Sequence, residues 1–195
     1  MTNPSDARQP VPHRSQTIGM WLFLASLTML FGASMLGYVL VRLNSAAMPT
    51  QRFLELPGTL WISTVLVVAA SFTIHHALRG IQHERLAQLK RFLLITLVLA
   101  IAFVAVQIPS LAMMLTEHSA LRQSGIHLYG LVFTLVVLHA AHVAGGVIAL
   151  ILVTRRAFAG GYDHEHHIGV YNAALYWHFL DVVWLVMFGT MMALG

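Results

Sequence analysis

Residues 92–115 read FLLITLVLAIAFVAVQIPSLAMML, 24 consecutive positions without a charged side chain. At a rise of ~1.5 Å per residue, a helix of that length covers the ~30 Å hydrocarbon core of a bilayer. A helix satisfies its own backbone N–H and C=O groups in lipid, whereas an isolated strand leaves them unpaired. Outward from this stretch, four further apolar runs of similar length occupy residues 18–41, 58–78, 127–153 and 169–194. The expected fold is therefore all-α: a polytopic bundle of five transmembrane helices over residues 18–195, behind a polar tail over 1–17. The first run is too long for a cleaved signal peptide and lacks a small-residue cleavage site.

Composition points the same way. The chain is 58% hydrophobic and 9% charged, with a mean hydropathy of +0.75, against about a quarter charged in a soluble domain. Five spans with short connections use up the 195 residues, so no extramembrane catalytic domain is expected. Of the eleven Lys and Arg, eight fall on one side: Arg8, Arg14, Arg79, Arg85, Lys90, Arg91, Arg155 and Arg156. Arg42, Arg52 and Arg122 fall on the other. The positive-inside rule then places the amino terminus in the cytoplasm and the carboxy terminus outside. The absence of cysteine excludes disulfides, thiolate zinc or copper sites, iron–sulfur clusters and thioether-linked haem from this polypeptide.

Ionisable side chains inside spans mark function or specific pairing. His139 and His142 share one face of the fourth span, and His178 and Asp181 one face of the fifth. His142 lies roughly 16 Å and Asp181 roughly 18 Å from the cytoplasmic ends of their spans. The two spans are antiparallel neighbours, so a buried His142–Asp181–His178 cluster clamping them together is expected. The same histidines could instead ligate haem or relay protons. Ligation would need histidines from two helices facing one cavity, and a relay would be short because Asp181 is the one deep acid.

Ala141, Gly145 and Ala149 form a small-residue stripe suited to close helix packing, within the chain or against another subunit. Trp177, Asp181, Trp184 and Phe188 share a face of the fifth span. The loop Asp163-His164-Glu165-His166-His167 has a metal-binding composition, but a hydrated cap before the fifth span is the simpler explanation. His75 and His76 read as interfacial anchors.

The segment Tyr176-Trp177-His178-Phe179-Leu180-Asp181-Val182-Val183-Trp184-Leu185 resembles the last-helix signature of cytochrome c oxidase subunit III, YWHFVDVVWL, at nine of ten positions. His166-His167-Ile168-Gly169 is similar to the HHFG that precedes it. His139-Ala140-Ala141-His142-Val143 with Gly146 resembles HGxHVxxG, Tyr129-Gly130 sits at a similar pair, and Gly19-Met20-Trp21-Leu22-Phe23 resembles GMxLF. The resemblance implies the short five-helix bacterial form, without the two helices that precede the lipid-filled cleft of longer members.

It further implies a non-catalytic subunit without haem, copper or any other metal of its own, in the bacterial inner membrane. That subunit would pack on the haem- and copper-bearing subunit I and other oxidase subunits of aerobic respiration, stabilise subunit I and support its proton uptake. Bound phospholipid is implied, with Arg156 at the position of a lipid-phosphate contact. Tyr176, Trp177, Trp184, Gly145 and Gly146 are implied as motif and packing positions.

Three family glutamates are absent, their positions being taken by Leu27, Ser110 and Tyr171. Such losses also fit a subunit III-like protein of nitric oxide reductase. A small proton-conducting transporter using His139, His142, His178 and Asp181 is a third reading, against which stands the lack of paired Gly/Pro-broken spans. A cytochrome b-like electron carrier is a fourth.

Overall fold

A computed structural model describes residues 13–44, 59–121, 127–162 and 168–194. Five helices run through them: α1 His13–Asn44, α2 Thr59–Gln82, α3 Leu86–Leu121, α4 His127–Phe158 and α5 Ile168–Leu194. All five are long and apolar enough to cross a membrane. Each outruns its apolar stretch, α3 by six residues at either end. The stretch marks the part that meets lipid, while intrahelical hydrogen bonding continues into the interface, where Lys90 lies 5.7 Å over the Phe158 ring.

Helices α2, α3, α4 and α5 form a closed ring of antiparallel neighbours, and α1 lies in the groove between α4 and α5. The α2–α3 hairpin turns through a Schellman cap, with Arg85 N–H donating to Gly80 C=O at 2.9 Å and Glu84 N–H to Ile81 C=O at 3.2 Å. Glu84 takes the left-handed conformation there, at φ 58°. Gly80 is needed for a second reason: a Cβ there would stand 3.2 Å from the backbone nitrogen of Leu89 on α3. Higher up, Thr73 and Thr96 share a 2.8 Å hydrogen bond and His76 stacks on Phe92, which fixes the register of the pair. Helix α4 ends the same way on Gly160, at φ 76°, with Gly161 N–H on Arg156 C=O at 2.9 Å.

Two clusters make the core. One, around Ile74, Leu93, Leu150, Val170 and Trp177, joins the four ring helices toward the end that carries both tight turns. The other, around Phe31, Phe103, Leu135, Trp184 and Met187, brings in α1.

Candidate functional site

The polar groups of the spans gather on α5, which touches α1, α2 and α4. Along its α2 side the pairs follow one antiparallel register. Ser71 Oγ and His178 Nδ1 share a 2.6 Å hydrogen bond, Trp184 Nε1–H donates to Thr64 Oγ1 at 3.2 Å, and Trp61 meets Phe188 edge-on at 5.3 Å. Asp181 Oδ2 stands 4.0 Å from His178 Nδ1, which is beyond hydrogen-bonding range. Among the described residues neither oxygen of Asp181 has a hydrogen-bond partner, although the carboxylate is buried. The His75 ring on α2 lies 6.3 Å from that of His178.

The expected His142–Asp181 clamp is not made. His142 Nδ1 bonds Leu138 C=O of its own helix at 2.7 Å, and its ring meets Phe31 of α1 edge-on at 5.3 Å. The preceding turn of α4 lies within reach of this ring nitrogen, and α1 rather than α5 covers its other side. His178 and Asp181 turn instead toward α2, with Ser71 as their common neighbour. The α4–α5 tie is Tyr176, whose hydroxyl donates to the backbone carbonyl of His142 at 3.0 Å.

His139 is 3% exposed and stacks on Trp184 at 5.6 Å, with Phe31 at 6.2 Å. Neither of its ring nitrogens has a hydrogen-bond partner among the described residues, and nor does Trp177 Nε1. Trp184 is also met edge-on by Phe103 of α3 at 5.4 Å and lies parallel to Phe188. Of the small-residue stripe, Ala141 and Gly145 are exposed. Close packing falls on Gly146, where a Cβ would stand 3.0 Å from Leu180, 3.2 Å from Tyr176 and 3.3 Å from Trp177.

Among the described residues no group of three or more His, Asp or Glu side chains is placed to hold a metal ion. The loop Asp163–His167 lies outside the described residues.

The sequence pattern of the family described as cytochrome c oxidase subunit III matches residues 10–195. The chain belongs to the cytochrome c oxidase subunit III family. It is similar to cytochrome c oxidase subunit 3 of Alkalihalophilus pseudofirmus, with 28% identity over 96% of this chain and 91% of that one. It is also similar to the cytochrome bo(3) ubiquinol oxidase subunit 3 of Pseudomonas aeruginosa, 25% identical over 91% and 84%. A probable quinol oxidase subunit 3 of Staphylococcus saprophyticus is 27% identical over 91% and 88%.

Positions singled out by the subunit III signature now have surroundings. Leu27, where the resemblance leads one to expect a glutamate, is buried in the core beside α1's neighbours, where an unpaired carboxylate would be costly. Tyr171 is half-buried on α5, and the side chain of Ser110 lies outside the described residues. Arg156 is exposed at the end of α4, with its guanidinium 5.2 Å over the Tyr162 ring. Burial raises the Tyr162 phenol above its ordinary pKa, and the Arg156 charge offsets part of that. Gly161 and Gly169 leave room for this pair, because a Cβ at either would press on Arg156 or on Tyr162.

Ser71 and Thr64 were not singled out by sequence reasoning. Their spacing of seven on α2, with His75 four residues on, places them on one face. That spacing was the available signal.

Proposed function

We propose that this chain is the cofactor-free accessory third subunit of a haem–copper terminal oxidase. In that reading it packs on the haem- and copper-bearing subunit I, stabilises it and supports its proton uptake. Electron transfer and oxygen reduction belong to the partner subunits. The carrying observation is the family match over residues 10–195, joined to five helices long and apolar enough to span a membrane. Relatives named for cytochrome c and for quinol oxidases are similar to the chain to about the same degree. The donor is read on other subunits, and nothing in this bundle need change with it.

Membrane placement follows from the charge pattern. Both tight turns carry basic residues, Arg79 and Arg85 at one and Arg155 and Arg156 at the other, which supports a cytoplasmic amino terminus in a bacterial inner membrane. Arg156, exposed at that face, suits the phosphate of a bound phospholipid.

A reduced-minus-oxidised spectrum of the complex that copurifies with the chain, beside that of the chain alone, tests the assignment. Haem a or o in the complex and none in the isolated chain is the expected result. Haem b with non-haem iron would move the chain to a nitric oxide reductase. Haem in the isolated chain would overturn the cofactor-free reading.

A further inference from the structure

Side chains that are both ionisable and exposed at mid-membrane are costly against lipid. One face of this bundle carries them. Counted from the ends of the apolar runs at 78 and 169, Ser71 lies ~10 Å and His178 ~14 Å inside the ~30 Å hydrocarbon core. The His178 side chain is 38% exposed, and the Asp181 carboxyl lies beneath it. His75 is exposed beside them. Helix α1 sits on the α4/α5 groove, away from the mouth of the α2/α5 groove. The outward faces of α1, α3 and α4 present apolar side chains at their middles instead, such as Met29, Val98 and Ile148.

Large apolar side chains are exposed on the two helices that form this groove, Phe72 next to Ser71 on α2 and Val182 and Leu185 about one and two turns beyond His178 on α5. His178, Val182, Leu185 and Gly189 follow one another at helical spacings of four, three and four, the seam along which two helices pack. A Cβ at Gly189 would meet nothing within 4 Å, so a second helix can approach there closely.

We propose that the α2/α5 groove docks a transmembrane helix of the haem-bearing subunit, whose polar side chain bonds the Ser71–His178–Asp181 group at mid-membrane. This rests on the oxidase-subunit reading. Charge complementarity favours a helix bearing a hydrogen-bond donor, because neither Asp181 oxygen makes a well-formed hydrogen bond among the described residues and the nearby Ser71 hydroxyl is engaged by His178. A lipid headgroup is anchored at the interface and does not reach the bilayer centre. Docking would thus do two things: cover the exposed apolar seam, and give the buried acid a partner that the described residues do not supply.

The test uses the intact complex, purified through the haem-bearing subunit, with benzoylphenylalanine in place of Phe72 or Val182 and, as control, of Met29 on α1. Photocrosslinks from 72 and 182 to the haem-bearing subunit, with Met29 reaching lipid alone, are expected. Crosslinks to that subunit from position 29 and not from 72 or 182 would overturn the assignment of the face. Crosslinks from 72 and 182 that reach lipid or a second copy of this chain would overturn it equally.

A second variant, His178→Leu, should release the haem-bearing subunit in detergent about three- to eighteenfold faster, the range of an interhelical hydrogen bond in lipid. The isolated chain should melt about one to a few degrees lower, from the lost Ser71 bond, and stay folded. Unchanged release would show that the polar group plays no part in docking. Wild-type chain that brings down no haem at all would defeat the oxidase-subunit reading, and the docking face with it.

Discussion

Gly146 and Gly145 are neighbours on α4 with opposite surroundings, and substituting each in turn tests the packing of α4 on α5. A Cβ on Gly146 stands 3.0 Å from Leu180 Cδ1, 3.2 Å from Tyr176 Cε1 and 3.3 Å from Trp177 Cζ3. These are ring and branched atoms within the α4–α5 contact, so the helices must part by a few tenths of an ångström. Overpacking by a methyl group costs ~1–3 kcal/mol. The better helix propensity of alanine returns ~1 kcal/mol, leaving Gly146→Ala destabilised by up to ~2 kcal/mol. Gly146→Val adds two more methyl groups at the same contact and should cost roughly 3 kcal/mol or more.

At Gly145 a Cβ meets only the Tyr176 hydroxyl, at 3.8 Å. Gly145→Ala should therefore be neutral or stabilising by up to ~1 kcal/mol. The assay is thermal unfolding of the purified chain in mild detergent, followed by loss of the monodisperse peak after heating. At about 2–4 °C per kcal/mol for a chain of this size, the two alanine variants separate by several degrees. A Gly146→Val chain as stable as wild type would refute the packing described, as would a Gly145→Ala chain as damaged as Gly146→Ala.

Tyr176→Phe removes the hydroxyl from the His142 carbonyl and should cost ~0.6 kcal/mol, at most ~1.7, since interhelical hydrogen bonds in lipid are modest; the same thermal assay reads it as a shift of one to a few degrees. Leu27→Glu restores the family's acid at a position that here is core, and should lower the yield of monodisperse chain through a cost of roughly 3 kcal/mol or more. Recovery of that loss by Leu27→Gln would show that the buried charge, rather than the lost packing, is responsible. Tyr162, with its pKa raised by burial, should ionise at a higher pH than free tyrosine, read as the difference in alkaline absorbance titration between wild type and Tyr162→Phe. Its contribution to stability is fully present below about pH 10, the ordinary tyrosine pKa, and is lost as pH rises through the higher folded value. Arg156→Gln should delay its ionisation further, because the arginine charge acts to lower that pKa.

Much of this protein is written along the chain. Hydropathy is a property of each segment by itself, so runs such as 92–115 locate all five helices without knowledge of their neighbours. The basic residues at 79–91 and 155–156 are likewise read segment by segment, and the cytoplasmic side proposed for them rests on that reading. The ten-residue stretch at 176–185 resembles the family's last-helix signature whatever its contacts, and the match over residues 10–195 shows the family.

Which faces meet was not legible in that way. In a soluble bundle the apolar stripe of each helix points to the core, but in lipid the outside is as apolar as the inside and the stripe disappears. Rotation is then settled by a few close contacts: Gly146 under Leu180, Gly80 against Leu89, Phe31 wedged beside His142. These turned His142 toward α1 and its own backbone, left Ala141 and Gly145 facing outward, and set His178 and Asp181 against Ser71 of α2. Sequence reasoning selected the ionisable residues of the spans, since their cost in lipid is legible from residue type. Only the tertiary structure decided their partners, because a partner is a property of two helices packed in register.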